Sequence, residues 1–377
     1  MSVWDELVGQ GPVVDGLREV VATPAAMTHA WLFTGPPGSG RSNAAQAFAA
    51  ALQCRSGGCG ACDSCSMVAA GTHLDVSLIR TDGLSIGVNI ARDYVRRAAL
   101  APALGRWQVL IVEDADRLTD QAANALLKSI EEPARASIWI LCATAVDDVM
   151  VTVRSRCRPV LLRTPPVDAI AGLLASRDGI DPVAARAAAA ASQGHIGRAK
   201  LLASDPAARE RRRAILALPL RVNSLGACLA AAQAIADEAT ARAVDVANDK
   251  DEAELANLKE SWGVEAPSSR RPAGFAGELS SLTKDQDRRR KRLTRDAIDG
   301  VLIDLLAFCR DVVAEQVASG ADLVNADVAS DVAAAAAAWT PESTLRRIDA
   351  IVECRAALDA NAAPQLALER MMTGFLS

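Results

Sequence analysis

The sequence predicts an α/β domain with a doubly wound parallel sheet over residues 1–164. A small helical domain at 165–207 and an all-α domain at 208–377 follow it. Three observations carry this reading. Short, uninterrupted apolar runs alternate with helix-patterned segments through the first 164 residues. The glycine-rich stretch Gly35-Pro36-Pro37-Gly38-Ser39-Gly40-Arg41-Ser42 follows the first of those runs, where a phosphate-binding loop would join a strand to a helix. Beyond Thr164-Pro165-Pro166 the strand-like runs give way to alanine-rich sequence, which favours helix. A chain of 377 residues is long enough for two or three separate cores.

The elements follow in order. Ala30-Trp31-Leu32-Phe33-Thr34 predicts a buried strand, and the alanine row from Ser42 to Leu52 a helix. Val76–Ile79 is a second strand, and 88–100 a helix with Arg92, Arg96 and Arg97 on one side. Gln108-Val109-Leu110-Ile111-Val112 has the continuous apolar character of a central parallel strand and ends in Glu113-Asp114-Ala115-Asp116. Thr119 caps a helix that carries Ala122, Leu126 and Ile130 on one face and stops at Pro133. A strand at 138–143, a short helix at 149–154 and a strand at 160–162 complete the domain. Three helices are expected in 167–204, then helices at 209–218 and 225–258. The Pro, Ser, Gly and charge of 261–284 break helical periodicity and place a flexible segment within 249–285. A long helix from Asp285 to about 319 and a helix or helix pair in 342–376 end the chain. The alanine run 333–338 reads as helix.

Composition excludes several function classes. A net charge of −5 argues against a surface generally coated in nucleic acid, which needs clustered Lys and Arg. No apolar run is long enough to cross a membrane, and the N-terminus lacks a secretory pattern, so a cytoplasmic location is expected. Of nine cysteines, Cys142, Cys157, Cys228, Cys309 and Cys354 are scattered in apolar or helical surroundings and read as buried thiols in a reducing compartment. His29, His73 and His195 are the only histidines, and none neighbours a candidate nucleophile, so hydrolase and nucleotidyl-transferase chemistry is unsupported.

In the phosphate loop, Gly35, Gly38 and Gly40 let backbone N–H groups wrap phosphates, the helix start adds partial positive charge, and Ser42 offers a magnesium hydroxyl. Arg41 stands where a lysine is needed. Its planar fork does not reproduce a point contact with the terminal phosphates, so impaired hydrolysis is expected. ATP or ADP held weakly, with Mg2+ only when nucleotide binds, and a loop that has lost its ligand both remain open. Glu113-Asp114 at the acidic strand end inverts the order a working site uses, a magnesium-facing Asp followed by a water-positioning Glu.

Cys54, Cys59, Cys62 and Cys65 form C-x4-C-x2-C-x2-C, with Gly57, Gly58 and Gly60 supplying the turns that let four thiolates converge. The pattern predicts a tetrahedral Zn2+ site, structural because four cysteines leave no open position for water.

Taken together with Trp4-Asp5-Glu6-Leu7-Val8-Gly9-Gln10, the run Ala123-Asn124-Ala125-Leu126-Leu127-Lys128-Ser129-Ile130-Glu131-Glu132-Pro133 and Ser155-Arg156-Cys157, these motifs stand in a familiar order. The chain resembles the bacterial DNA polymerase III clamp-loader subunits of the AAA+ class, most closely their delta-prime branch. The specific motifs cover residues 1–205. The resemblance implies an AAA+ P-loop domain, a helical lid and a helical oligomerisation domain. It also implies a hetero-pentameric ring with gamma/tau and delta subunits that loads the sliding clamp onto primed DNA. Arg156 matches the arginine that such subunits insert into a neighbour's ATP site, Thr144 the position that senses the γ-phosphate, and Arg198 lies one residue late for the lid arginine. Arg41, Glu113-Asp114, Ala145 and the shifted Arg198 depart from the active pattern and imply a subunit that does not hydrolyse ATP yet lends Arg156. Polymerase activity would belong to the assembly. A gamma/tau-like motor and a zinc-containing DNA-binding regulator are the rival readings. Two basic features complete the set: Arg92, Arg96 and Arg97, which in the family can face DNA, and the six basic residues among 288–295, read as a solvated helix start or a contact to DNA or an acidic partner.

Overall fold

The computed structural model describes residues 2–23, 26–81, 83–264, 272 and 274–376. They divide into two compact units, Met1–Thr81 with Ser85–Ser204, and Asp205–Ser377 with Asp82–Leu84.

The first unit opens with helix α1 (Gly11–Ala22), which has Pro12 in its first turn and buries Val14, Leu17 and Val20 at helical spacing. Strand β1 (Ala30–Thr34) leads through the glycine loop into α2 (Arg41–Gln53), and α3 (Asp63–Ala69) closes the cysteine segment. Then come β2 (Val76–Ile79), α4 (Val88–Ala98), β3 (Gln108–Val112), α5 (Asp120–Glu131), β4 (Ser137–Ala143), α6 (Val151–Arg154) and β5 (Arg158–Leu161). All pairings are parallel, and the strand order is β2-β3-β4-β1-β5.

Side chains alternate across a strand, so each central strand supplies both faces. Trp31, Phe33, Val109, Ile111, Ile138, Ile140 and Cys142 pack with α1, α2 and α3 on one side. Ala30, Leu32, Leu110, Val112, Trp139, Leu141 and Ala143 pack with α4 and α5 on the other. Strands buried on both faces are what continuous apolar runs encode. Alanine lets α2 lie deep against the sheet. Its Phe48 meets Trp31 edge-on at 5.1 Å and stacks on Phe33 at 6.0 Å. β5 is the exposed edge strand, where Pro159 costs no inner ladder bond. Thr119 caps α5 by accepting from the Ala122 N–H, as its sequence position foretells.

Helices α7 (Val167–Asp178), α8 (Pro182–Ala191) and α9 (Ile196–Ser204) share a small core of Ile170, Leu174, Ala185, Ala189 and Ala199.

The second unit is helical throughout: α10 (Pro206–Leu216), α11 (Leu218–Arg221), α12 (Leu225–Ser261), α13 (Phe275–Gln316), α14 (Ala329–Ala338), α15 (Pro341–Asp359) and α16 (Pro364–Thr373). Two expectations need correction here. Residues 249–261 and 275–285, placed above in a flexible segment, are helical, and the long helix starts at Phe275 rather than Asp285. Composition misled because cross-helix contacts hold these turns. Trp262 meets Phe275 edge-on at 6.1 Å and donates from Nε1 to Glu278 at 2.8 Å, while Gln286 donates to the Asp251 carbonyl at 3.0 Å. The rest of the expected flexible stretch, 265–271 and 273, lies outside the described residues.

The basic run is only partly solvated, with Arg288 and Lys291 exposed, and it lies inside the helix rather than at its start. Arg289 is buried and pairs with Asp251 at 3.0 Å and Glu254 at 2.7 Å, while Arg290 reaches Asp251 at 2.8 Å. Arg295 binds the Leu358 carbonyl and Asn361. A second buried network joins Arg212 to Asp304 at 3.2 Å and to Asn325, whose side chain donates to Asp311 at 2.8 Å. Removing one partner of a buried pair strands the other charge. Asp251→Ala should therefore destabilise this unit by about 2 kcal/mol or more in denaturant unfolding. Asp168→Ala, which breaks the exposed pair with Arg186, should cost no more than about 0.5 kcal/mol.

Candidate functional site

The phosphate loop has the backbone shape its glycines suggest. Gly38 and Gly40 adopt positive φ of 84° and 85°, a region where a Cβ is strained. The loop is also crowded. A Cβ on Gly35 would lie 2.6 Å from the Leu162 carbonyl oxygen, and one on Gly38 would lie 2.5 Å from His195 Cα, just before α9. Gln10, buried beside the loop, donates from Nε2 to the carbonyls of Ser39 (3.2 Å) and Arg163 (2.6 Å) and accepts from the Arg163 N–H. The hydroxyls of Thr34 and Ser39 are buried with no hydrogen-bond partner among the described residues, which fits a cradle built for polar ligand atoms. Arg41 fits it less well: its Nη1 donates back to the Gly35 carbonyl instead of reaching outward. Ser42 is half-buried in the first turn of α2.

The acidic strand end lies alongside. Glu113 is buried at the tip of β3, and Arg80 clamps both its oxygens, at 2.5 Å from Nε and 3.0 Å from Nη2. Sheet register makes this pair: Ile79 faces Val112 across β2 and β3, so the next residues, Arg80 and Glu113, meet. Asp114 is half-buried next to it. Burial pushes the Asp116 carboxyl above its ordinary range and the nearby Asp114 charge adds to this, against the pull of Arg117 and Arg41. Arg41 is thus electrostatically within reach of the acidic edge. A carboxylate held by a bidentate guanidinium has its charge neutralised and its lone pairs occupied, which weakens it for holding magnesium or orienting water.

Thr144, at the end of β4, donates its hydroxyl to Asp148 at 2.6 Å, and the Ala145 N–H donates to the same carboxylate at 3.0 Å. Arg156 lies elsewhere, beyond α6. It is exposed; Nη1 donates to the Thr152 carbonyl at 2.7 Å and Nη2 meets Glu131 at 2.5 Å. Arg198 is half-buried in the first turn of α9. The structure therefore gathers Gly35, Gly38, Gly40, Arg41, Glu113 and Asp114 at one end of the sheet and keeps Arg156 apart. Arg80 and Asp148 were missed in the sequence, while Asp116, Glu131 and His195 were named there without a role of their own. Arg80 carried a signal in its place one residue past a strand end.

Cys54, Cys59, Cys62 and Cys65 converge, with sulfurs all within 4.8 Å of one another. The Cys54–Cys59 and Cys54–Cys62 separations are 3.6 and 3.7 Å. A tetrahedron with Zn–S bonds of ~2.3 Å has sulfurs ~3.8 Å apart, so the donor set fits zinc. Burial alone would raise the Cys54 thiol, but N–H groups of Cys59, Gly58 and Ser56 outweigh it and bring it down to about 6. Burial and the neighbouring Cys62 and Cys54 sulfurs push Cys65 up to about 12. Such crowding of sulfurs is what a dication relieves. The cage is sewn to the N-terminus: the Val3 N–H and Ser2 hydroxyl donate to the Gly58 carbonyl, and Trp4 Nε1 donates to Gly57 at 3.0 Å. His73 is buried, with Nδ1 accepting from the Asp75 N–H, and stays outside the cage.

On α4, Arg96 pairs with Asp93 and Arg97 lies 5.1 Å from the Tyr94 ring, while Arg92 lines a shallow groove with Val88, Gln121, Asn124 and Ala125. Cys142, Cys228, Cys309 and Cys354 are buried free thiols and Cys157 is half-buried. No helix among the described residues is long and apolar enough to cross a membrane.

The four-sulfur geometry predicts one zinc per chain by elemental analysis. Cys62→Ser should lose the metal and lower the melting temperature by at least about 5 °C.

Residues 9–166 match the family model described as DNA polymerase III, delta subunit. The chain is 35% identical over 175 residues to the DNA polymerase III subunit gamma/tau of Mycobacterium tuberculosis, covering 45% of this chain and 30% of that protein. It is 36% identical over 139 residues to subunit delta' of Pseudomonas aeruginosa, covering 35% of this chain and 42% of that protein. It is 29% identical over 215 residues to subunit delta' of Bacillus subtilis, covering 56% of this chain and 65% of that protein. The chain thus spans less than two thirds of each relative, and both subunit names are represented. Over residues 9–166, then, the chain is similar to bacterial DNA polymerase III subunits of the delta' and gamma/tau kinds.

Proposed function

We propose that this protein is the delta-prime type of clamp-loader subunit, one that lends an arginine to a neighbour's ATP and does not turn over ATP itself. The observation that carries the reading is the state of its own catalytic carboxylate: Glu113 is buried and bound at both oxygens by Arg80. Arg41 turned to the Gly35 carbonyl and Thr144 turned to Asp148 support it, since three groups that hydrolysis would use are engaged within the chain. Arg156, although it too has partners within the chain, is exposed just beyond α6, where an intermolecular contact could reach it. A guanidinium supplied in trans stabilises charge that builds on a γ-phosphate.

In this reading the chain sits in a hetero-pentameric ring with gamma/tau and delta subunits and supports ATP-dependent placing of a sliding clamp on primed DNA. The helical unit from 205 onward would be its oligomerisation domain, α7 to α9 its lid, and Zn2+ the structural pin of the cysteine insert. DNA-directed DNA polymerase activity would reside in the assembly. Any ATP or ADP bound at the chain's own loop, with Mg2+, would be held weakly.

The second reading, a gamma/tau-like motor, draws on relatives that carry that name. It requires Glu113 to leave Arg80.

Reconstitution with the partner ATPase subunits tests the proposal. Arg156→Ala should lower turnover at the neighbouring site by about 10²-fold while the complex still assembles. Arg156→Lys should not rescue it, because an ammonium lacks the planar fork. Full turnover with Arg156→Ala would overturn the reading.

A further inference from the structure

We infer that Glu131 is the positioning residue of the Arg156 guanidinium, fixing where that side chain is presented to a partner's anion. The inference rests on the arginine-donor reading and adds to it a residue acting through the first.

The geometry begins with two anchored elements. Glu131 is the last residue of α5, whose Ala122, Ala123, Leu126 and Ile130 are fully buried under the sheet. Arg156 follows α6, whose Val153 is fully buried in the same core, and the Arg156 N–H donates to the Val153 carbonyl at 3.1 Å. Neither backbone is loose, so the long arginine side chain is what remains to be fixed. Glu131 meets Nη2 at 2.5 Å, and the Thr152 carbonyl takes Nη1 at 2.7 Å, with the Ser155 hydroxyl at 3.3 Å from the same nitrogen. Contacts from two separate elements cross at one planar group. That restrains rotation about the side-chain torsions, and groups built on regular elements are held more tightly than groups on loops.

Donors also remain. A guanidinium carries five N–H groups. The contacts above engage Nη1 twice and Nη2 once. Nε–H and the second Nη2–H keep capacity for an incoming phosphate oxygen. Holding the group before the anion arrives removes an ordering cost from the encounter. The adjacent Glu132 is a natural control, because it forms no ion pair among the described residues although it carries the same charge one residue on.

The test uses the reconstituted complex and follows turnover at the neighbouring site against ATP concentration. Glu131→Gln should lower kcat by up to about fivefold with KM nearly unchanged, the range an exposed ion pair can contribute. Glu131→Asp should recover part of the loss, and Glu132→Gln should match the wild type. In an Arg156→Ala background, Glu131→Gln should add nothing further, since both act through one group. Native mass and melting curves verify that each complex assembles. If Glu131→Gln fails to assemble, the graded response of Glu131→Asp carries the test, and wild-type kcat there overturns the inference. Wild-type or raised kcat in an assembled Glu131→Gln complex, with Arg156→Ala defective, overturns the positioning role and leaves the donor reading intact. Full turnover with Arg156→Ala overturns both.

Discussion

The Arg80–Glu113 ion pair sets the character of this molecule. Glu113 is buried at the tip of a central strand, where an unpaired carboxylate would be costly. Arg80 satisfies both oxygens from the adjacent strand. The pairing stabilises the end of the sheet and occupies the group that could otherwise serve phosphate chemistry. The turned-in Arg41 and the Thr144–Asp148 bond follow the same pattern. Three side chains at the phosphate-loop end of the fold, Glu113, Arg41 and Thr144, are thus engaged within the chain, while the Thr34 and Ser39 hydroxyls stay buried without a partner among the described residues.

Other features brace that end. Gln10 ties the phosphate loop to the chain just before α7, and the contact of Gly38 with His195 brings the start of α9 against the same loop. On the α1–α2 side of the sheet, the cysteine cage is bonded to residues 2–4 and packs into the core shared with Trp4, Phe48 and Val68. A metal held there would fasten the N-terminal segment to the end of α2 without touching the phosphate loop. The second unit relies on a different device. Beside apolar cores that bury Ile298, Leu302, Leu305, Phe308 and Phe375, its helices are joined by buried Arg–Asp and Arg–Glu pairs that supply specific registry. Such pairs specify alignment more than they add net stability.

Much of the first unit was legible because its signals are local. β1, β3 and β4 announce themselves as uninterrupted apolar runs, Thr119 as a cap, and the cysteine spacing as a cage. Helix α1 escaped the sequence reading although Gly11-Pro12 and the spacing of Val14, Leu17 and Val20 mark it. What could not be read locally depends on tertiary neighbours. The partner of Glu113 follows from β2 lying beside β3, a fact of sheet order rather than of either segment. The acids that absorb Arg289 and Arg290 sit across a helical hairpin, so the basic run looked solvated. The hairpin's ends looked flexible because composition does not report the Trp262–Phe275 contact. Arg156 and Glu131 both stood in motif runs, but nothing in either run showed that the two side chains meet.

The central claim of the proposal is that the chain's own phosphate loop supports no turnover, because Glu113, Arg41 and Thr144 are engaged by Arg80, the Gly35 carbonyl and Asp148. The most direct measurement is phosphate release by the purified chain alone, with saturating ATP and Mg2+. The account predicts release no faster than in buffer without protein. Sustained turnover at about 1 s⁻¹, within the range of working enzymes, would contradict it.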